Sequence, residues 1–169
     1  MKIGIALRNA DAHTRLATYL NDHLGGSAGG VELARRLVKA NEKTEYAPPL
    51  RRTASEIEED IASLRDIMAR MGVEEDRVKQ AGAWAAEKAG RLKLNGQLLG
   101  YSPLSRLVEL EGLMLGVSGK LALWVLLNEH FAEDPRLAGV DLPQLIARAK
   151  DQRTRLERLR RQSAADALT

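Results

Sequence analysis

The sequence predicts an all-α protein, a single bundle of four long helices with a further helix between the second and the third. Three observations carry this. Apolar residues return at spacings of three and four along four long stretches. Six aromatic residues in all, with no glycine-punctuated alternating segments, argue against an all-β fold. Helix-start signals stand where the periodic stretches begin: Ser102 before Pro103, Thr53 three residues before Glu56, and Asp141 three residues before Gln144. At 169 residues, 44% apolar and 29% charged, the chain is long enough for one good core. One domain over residues 11–162 is expected, with 1–10 a tail or short packed arm and 163–169 a frayed end.

Helix A runs from about Asp11 to Asn41, with Leu16, Leu20, Leu24, Ser27, Val31, Ala34 and Val38 on one face. Its middle holds Gly25, Gly26, Gly29 and Gly30, and a glycine in a helix interior costs about 1 kcal/mol relative to alanine. Close helix approach would offset that cost. Gly112 and Gly116 on the third helix have the same spacing of four, so the two small faces are expected to meet. The alternative is a turn splitting A in two, but the apolar register continues unshifted from Leu24 through Ser27 to Val31.

Residues 41–52 are the first connector, since Pro48 and Pro49 are poor helix-interior residues. Helix B then opens at Thr53 with a capping box to Glu56, repeats Ile57, Ile61, Leu64, Met68 and Met71, and ends at Gly72. Glu56, Glu58, Glu59 and Asp60 crowd its first turns, where the helix dipole favours acids. A linking helix from Glu74 to Leu94 follows, with Val78, Ala81, Ala85, Ala89 and Leu92 inward and Trp84 at its edge.

Helix C, Ser102 to His130, is the central post. From Gly112 to Leu127 its only charged residue is Lys120, and apolar residues cover nearly the whole circumference, which predicts burial on most sides. After a connector marked by Pro135 and Gly139, helix D opens at Asp141 with inner positions Leu142, Leu145, Ala149, Gln152, Leu156 and Leu159.

With no cysteine, the chain has no disulfide framework, no thiolate nucleophile and no structural zinc site of the usual kind. The start, MKIGIALRNA, has no signal-peptide apolar region of the usual length, so a cytoplasmic protein is expected. Gly112–Leu127 is short of the roughly 20 residues of a membrane span and contains Lys120, so no membrane partner is expected. The net charge of +3 arises in residues 141–169, which hold seven basic and four acidic residues against nineteen of each elsewhere.

Four long helices with an extra element between the second and third resemble the ferritin-like superfamily, over roughly residues 11–162. In that family a connection running the length of the bundle joins two antiparallel helix pairs. The resemblance implies metal chemistry by a carboxylate on each of two helices and a Glu-x-x-His on each of the other two. The sequence departs from that pattern. Its histidines, His13, His23 and His130, are preceded at three positions by Ala10, Leu20 and Leu127, and helices B and D contain none. A di-iron centre of the family's kind, or another cofactor, is therefore not expected.

Two polar residues remain on faces expected to point inward, His23 on A and Glu111 on C. One reading makes them ligands of one metal ion in a divergent, oxidoreductase-type site. The other gives Glu111 a basic or hydroxyl partner and leaves His23 hydrogen-bonded. On antiparallel helices with level ends the two miss by on the order of 10 Å along the axis, which favours the second. Arg148, Lys150, Arg153, Arg155, Arg158, Arg160 and Arg161 within 142–161 are a further candidate, for nucleic acid. They surround the helix with Asp151 and Glu157 among them and no aromatic stacking residue, so a solvated face is favoured. The reading as a whole is a metal-free ferritin-like bundle with a structural or binding role and no catalytic residue. Tyr19, Leu33 and Leu37 of A and Leu110, Leu113, Val117 and Trp124 of C are expected to be covered in part by the linking helix and for the rest by a second copy in a two-fold homodimer.

Overall fold

In a computed structural model, residues 11–76 and 101–169 are described, and among them there is no strand. Helix α1 spans Ala12–Ala40, α2 Ala47–Arg70, α3 Pro103–Phe131 and α4 Leu142–Leu168, with a 3-10 turn at Pro135–Leu137. Residues 1–10 and 77–94 of the expected linking helix lie outside the described residues. Its first residues, Glu74–Asp76, are described and are not helical. Buried Asn21 of α1 holds them: its Nδ2 donates to the Glu74 carbonyl at 2.9 Å, and its Oδ1 accepts from Asp76 N at 2.7 Å.

Several helix ends follow local chemistry. Asp11 accepts from Thr14 N at 2.7 Å, Ser102 from Ser105 N at 3.1 Å and Asp141 from Gln144 N at 2.9 Å, each giving a free first-turn amide a partner. Gly72 has φ +68°, and the amides of Gly72 and Val73 bond back to Ala69 and Met68, the pairing that closes a helix on a left-handed residue. Two ends differ from expectation. Helix α2 begins at Ala47, six residues before Thr53, because Pro48 and Pro49 fall in the first turn, where the amides they lack have no intrahelical partner. Thr53 is therefore interior and no cap; its hydroxyl donates to the Pro49 carbonyl at 2.9 Å. Helix α4 continues through 163–168 instead of fraying. Arg106 of α3 donates to Ser163 Oγ at 3.1 Å and to Asp166 at 2.6 Å, and Tyr46 OH donates to Asp166 at 2.7 Å. The Arg106 guanidinium also lies 4.0 Å from the Tyr46 ring centre. Burial and the Asp166 acceptor push the Tyr46 hydroxyl up to about 12.

These contacts fix the helix directions. Asn41, just after α1, bonds Tyr101 and Arg106 at the start of α3, while Tyr46, just before α2, bonds the last turns of α4. So α1 and α4 run one way and α2 and α3 the other. Each helix packs on two neighbours, α1 on α2 and α3, and α4 on α3 and α2.

The core is two apolar clusters, one toward each end. One gathers Leu20, Leu24, Leu64, Met68, Trp124, Leu127 and Leu145; the other Ala34, Leu37, Leu50, Ile57, Leu110, Leu113 and Leu156. Each fully buried leucine contributes about 1.5–3 kcal/mol relative to exposure. All six inner positions expected on the last helix are buried, as are Ile57, Leu64 and Leu107; Ile61, Met114 and Val125 are half-buried.

The third helix is not the enclosed post its composition suggests. Val108 is 49% and Leu115 73% exposed, and Ala122 is exposed as well. In a four-helix square each helix has two neighbours at its sides and the third across the diagonal, so an all-round apolar helix keeps an outer face. By length and composition α3 is also apolar enough to cross a membrane, with a mean hydropathy of 1.6 in its best window. The residues expected to meet a second subunit are covered within the one chain: Leu37, Leu110, Leu113, Val117 and Trp124 are buried, and Tyr19 and Leu33 are half-buried.

Candidate functional site

At mid-height every helix interrupts its apolar stripe between the two clusters. Helix α1 does so with Gly25–Gly30, α2 with Asp60, α3 with Lys120 and α4 with Gln152. The result is a polar layer across the core. Asp60 is 2% exposed and Gln152 is fully buried. Lys120 Nζ donates to Asp60 Oδ2 and, at 2.6 Å, to Gln152 Oε1, while Gln152 Nε2 donates to Asp60 Oδ2 at 3.1 Å. Arg148 makes an ion contact with Asp60 Oδ1 off the hydrogen-bond direction and donates to the more exposed Glu59 at 2.8 Å. Burial pulls the Lys120 ammonium below its ordinary value, aided by Arg148 and opposed by Asp60.

One turn further along, a second set of charges balances itself. Arg155 donates to Thr53 Oγ1 at 2.8 Å and to Glu56 at 3.0 Å and pairs with Asp151, while Arg52 pairs with Glu56 at 2.8 Å. Burial works to raise the Glu56 carboxyl, but hydrogen bonds from Arg155 and Arg52 outweigh it and leave the group below its usual range.

Gly26 and Gly30 do not meet Gly112 and Gly116. A Cβ built on Gly26, Gly30, Gly116 or Gly119 would find no atom within 4 Å, and one on Gly112 would touch only Leu33 Cδ2 at 3.5 Å. The close approach expected between the two small faces is thus replaced by a cavity of about 740 Å³ between α1, α2 and α3. Larger side chains also line it, Leu33 against Gly112 and Trp124 and Tyr19 further along. Helix α1 is nevertheless continuous through its glycines, as its apolar register requires.

Four residues of α3 spaced by four, Gly112, Gly116, Lys120 and Trp124, put one row on the cavity wall. Lys120 offers a donor there. An ammonium has three N–H groups, and Lys120 uses two on Asp60 and Gln152. Trp124 is 1% exposed, and its buried indole Nε1 has no acceptor among the described residues. His23 also lines the cavity; it is half-buried, with its ring 4.6 Å from that of Tyr19, and burial lowers its pKa against the opposing charge of Asp22.

Glu111 is a correction. It does not face the core: its side chain is 48% exposed and pairs with Arg160 at 3.6 Å. Placing it inward was an error of facing on a helix apolar nearly all round. His23 lines the cavity and Glu111 does not, so the structure does not bring the two together there. Among the described residues no group of three or more His, Asp or Glu could hold a metal ion. Of the basic residues on α4, Arg148 and Arg155 bind α2, and Arg160 and Arg161 bind Glu157, whose carboxyl they hold down at about 2.

The sequence carried partial signals for the polar layer. Lys120 was the lone charge in an apolar run and Gln152 the lone polar residue on its stripe. Asp60 was hidden among the acids assigned to a first turn, because the true helix start lies further upstream. No protein-family model, no curated protein and no solved structure matches this chain.

Proposed function

We propose that this chain is a non-catalytic, ligand-binding helical bundle of ferritin-like arrangement, in which the α1–α2–α3 cavity takes a small, largely apolar molecule. The observation that carries the reading is the cavity itself. Its volume of about 740 Å³ falls in the range of small-molecule sites, and its walls combine Leu33, Ile57, Ile61, Leu113 and Trp124 with few polar groups. Gly26, Gly30, Gly116 and Gly119, which cost helix stability and have open space where a Cβ would stand, are accounted for if that room is used.

The ferritin-like arrangement is supported by the helix directions, with α2 ending at the opposite end of the bundle from the start of α3. The ferritin-like family has a connection of that kind, running the length of the bundle between its two helix pairs. A metal-free core is supported by charge: Asp60, the carboxylate buried at mid-height, already has Lys120 and Arg148 as cationic partners.

Titration with 1-octanol, followed by calorimetry, tests the cavity. The wild-type protein is expected to bind it saturably at one site, and Gly116→Leu and Gly26→Leu, which fill the open space, are expected to lose binding. Absence of binding to the wild type, or unchanged affinity in both variants, overturns the reading.

A further inference from the structure

Resting on the binding reading above, we infer that the cavity selects an uncharged ligand, an apolar molecule whose one neutral oxygen, of an alcohol, ether or carbonyl, accepts a hydrogen bond from Lys120 Nζ. Lys120 lines the cavity together with Asp60, whereas Gln152 and Arg148 do not. Its ammonium has three N–H groups, of which Asp60 and Gln152 take two, and no third acceptor is present among the described residues. A ligand oxygen beside Lys120 supplies it. A hydrogen bond from a charged donor is stronger than one between neutral groups, so a single oxygen suffices to orient the molecule.

The charges around Nζ exclude an ionised ligand. Lys120 and Arg148 are matched by Asp60 and Glu59, two of each sign. The neighbouring set of Arg52 and Arg155 against Glu56 and Asp151 is balanced in the same way. Neither set has a charge left over for a ligand. Two acceptors on one tetrahedral ammonium stand about 4.5 Å apart, so a carboxylate taking the third N–H would lie that close to the Asp60 carboxylate and be repelled by it. A cationic ligand in the same place meets Lys120 itself. Among the other titratable residues on the walls, Asp22 is exposed to solvent, and burial raises the Tyr19 hydroxyl and lowers His23, which leaves both uncharged at about pH 7.5. A charge carried into the cavity therefore loses its water with no free counter-charge to replace it, whereas a neutral oxygen keeps one strong hydrogen bond. The walls beyond Lys120, from Leu113 and Val117 to Leu33 and Ile57, are apolar and take the rest of the molecule.

Three probes of equal chain length, 1-octanol, octanoate and octylammonium, separate this inference from the cavity reading when titrated by calorimetry. Wild-type protein is expected to bind 1-octanol about tenfold or more tightly than either ion. Lys120→Met, which removes the donor and keeps an apolar side chain in its place, is expected to weaken 1-octanol binding about tenfold. By leaving Asp60 and Glu59 against Arg148 alone, the same variant is expected to bind octylammonium about tenfold more tightly than the wild type does. Either ion bound as tightly as 1-octanol by the wild type, 1-octanol affinity unchanged in Lys120→Met, or octylammonium binding not strengthened in that variant overturns selection of a neutral ligand at Lys120 while leaving the cavity reading standing. Absence of 1-octanol binding to the wild type overturns both.

Discussion

Removing Asp60 should be far more damaging than removing its partner Lys120, although the two form one buried ion pair. In Asp60→Ala the ammonium of Lys120, whose side chain is only 16% exposed, keeps Gln152 Oε1 as its acceptor and loses its counter-charge. Arg148 retains Glu59. Breaking a buried pair by deleting one member costs about 3–5 kcal/mol, and the residual amide partner and slight exposure place this case near the lower end, about 3 kcal/mol. In Lys120→Met, Asp60 keeps Arg148 and Gln152, and the desolvation that lowers the lysine pKa despite Asp60 disappears with the charge. Gln152 Oε1 loses a donor, so the variant is expected within about 1 kcal/mol of the wild type. Urea unfolding followed by circular dichroism measures both, with m unchanged if the native state stays compact. Equal losses in the two variants, or a loss below about 1 kcal/mol in Asp60→Ala, would refute this account of the polar layer.

Gly26→Ala and Gly116→Ala should each stabilise the fold by up to about 1 kcal/mol, since the added methyl meets open space and the helix gains propensity; a lowered melting temperature in both would show that the faces are packed. Stability should fall as pH is lowered from about 7.5 towards 5.5, in part through His23. Burial depresses its folded pKa below the ordinary 6.5, so the unfolded chain binds more protons in that window and the stability present above 6.5 is lost as pH drops. His23→Gln should flatten this slope in thermal melts, and an unchanged slope would assign it to other groups. Arg106→Ala should release the last turns of α4, seen as faster amide exchange over residues 163–168, because it removes donors to Ser163, Asp166 and Asn41 together.

Periodicity and capping chemistry determined by themselves that this chain is helical, where α1, α3 and α4 begin, where α2 ends, and which stripe of α4 is buried. Those features are local: a side-chain oxygen three residues from a free amide, or a row at spacings of three and four, acts whatever the rest of the chain does. Facing could not be read on α3, where apolar residues leave no preferred side, so Glu111 points outward against expectation and Leu115 is exposed. Only the tertiary structure decided what Gly26, Gly30, Gly112 and Gly116 do, because small residues permit close approach without compelling it. It also decided the polar layer. Asp60, Lys120 and Gln152 lie on three helices and far apart in sequence, and each is a misfit in its own stripe until the bundle brings all three to one height.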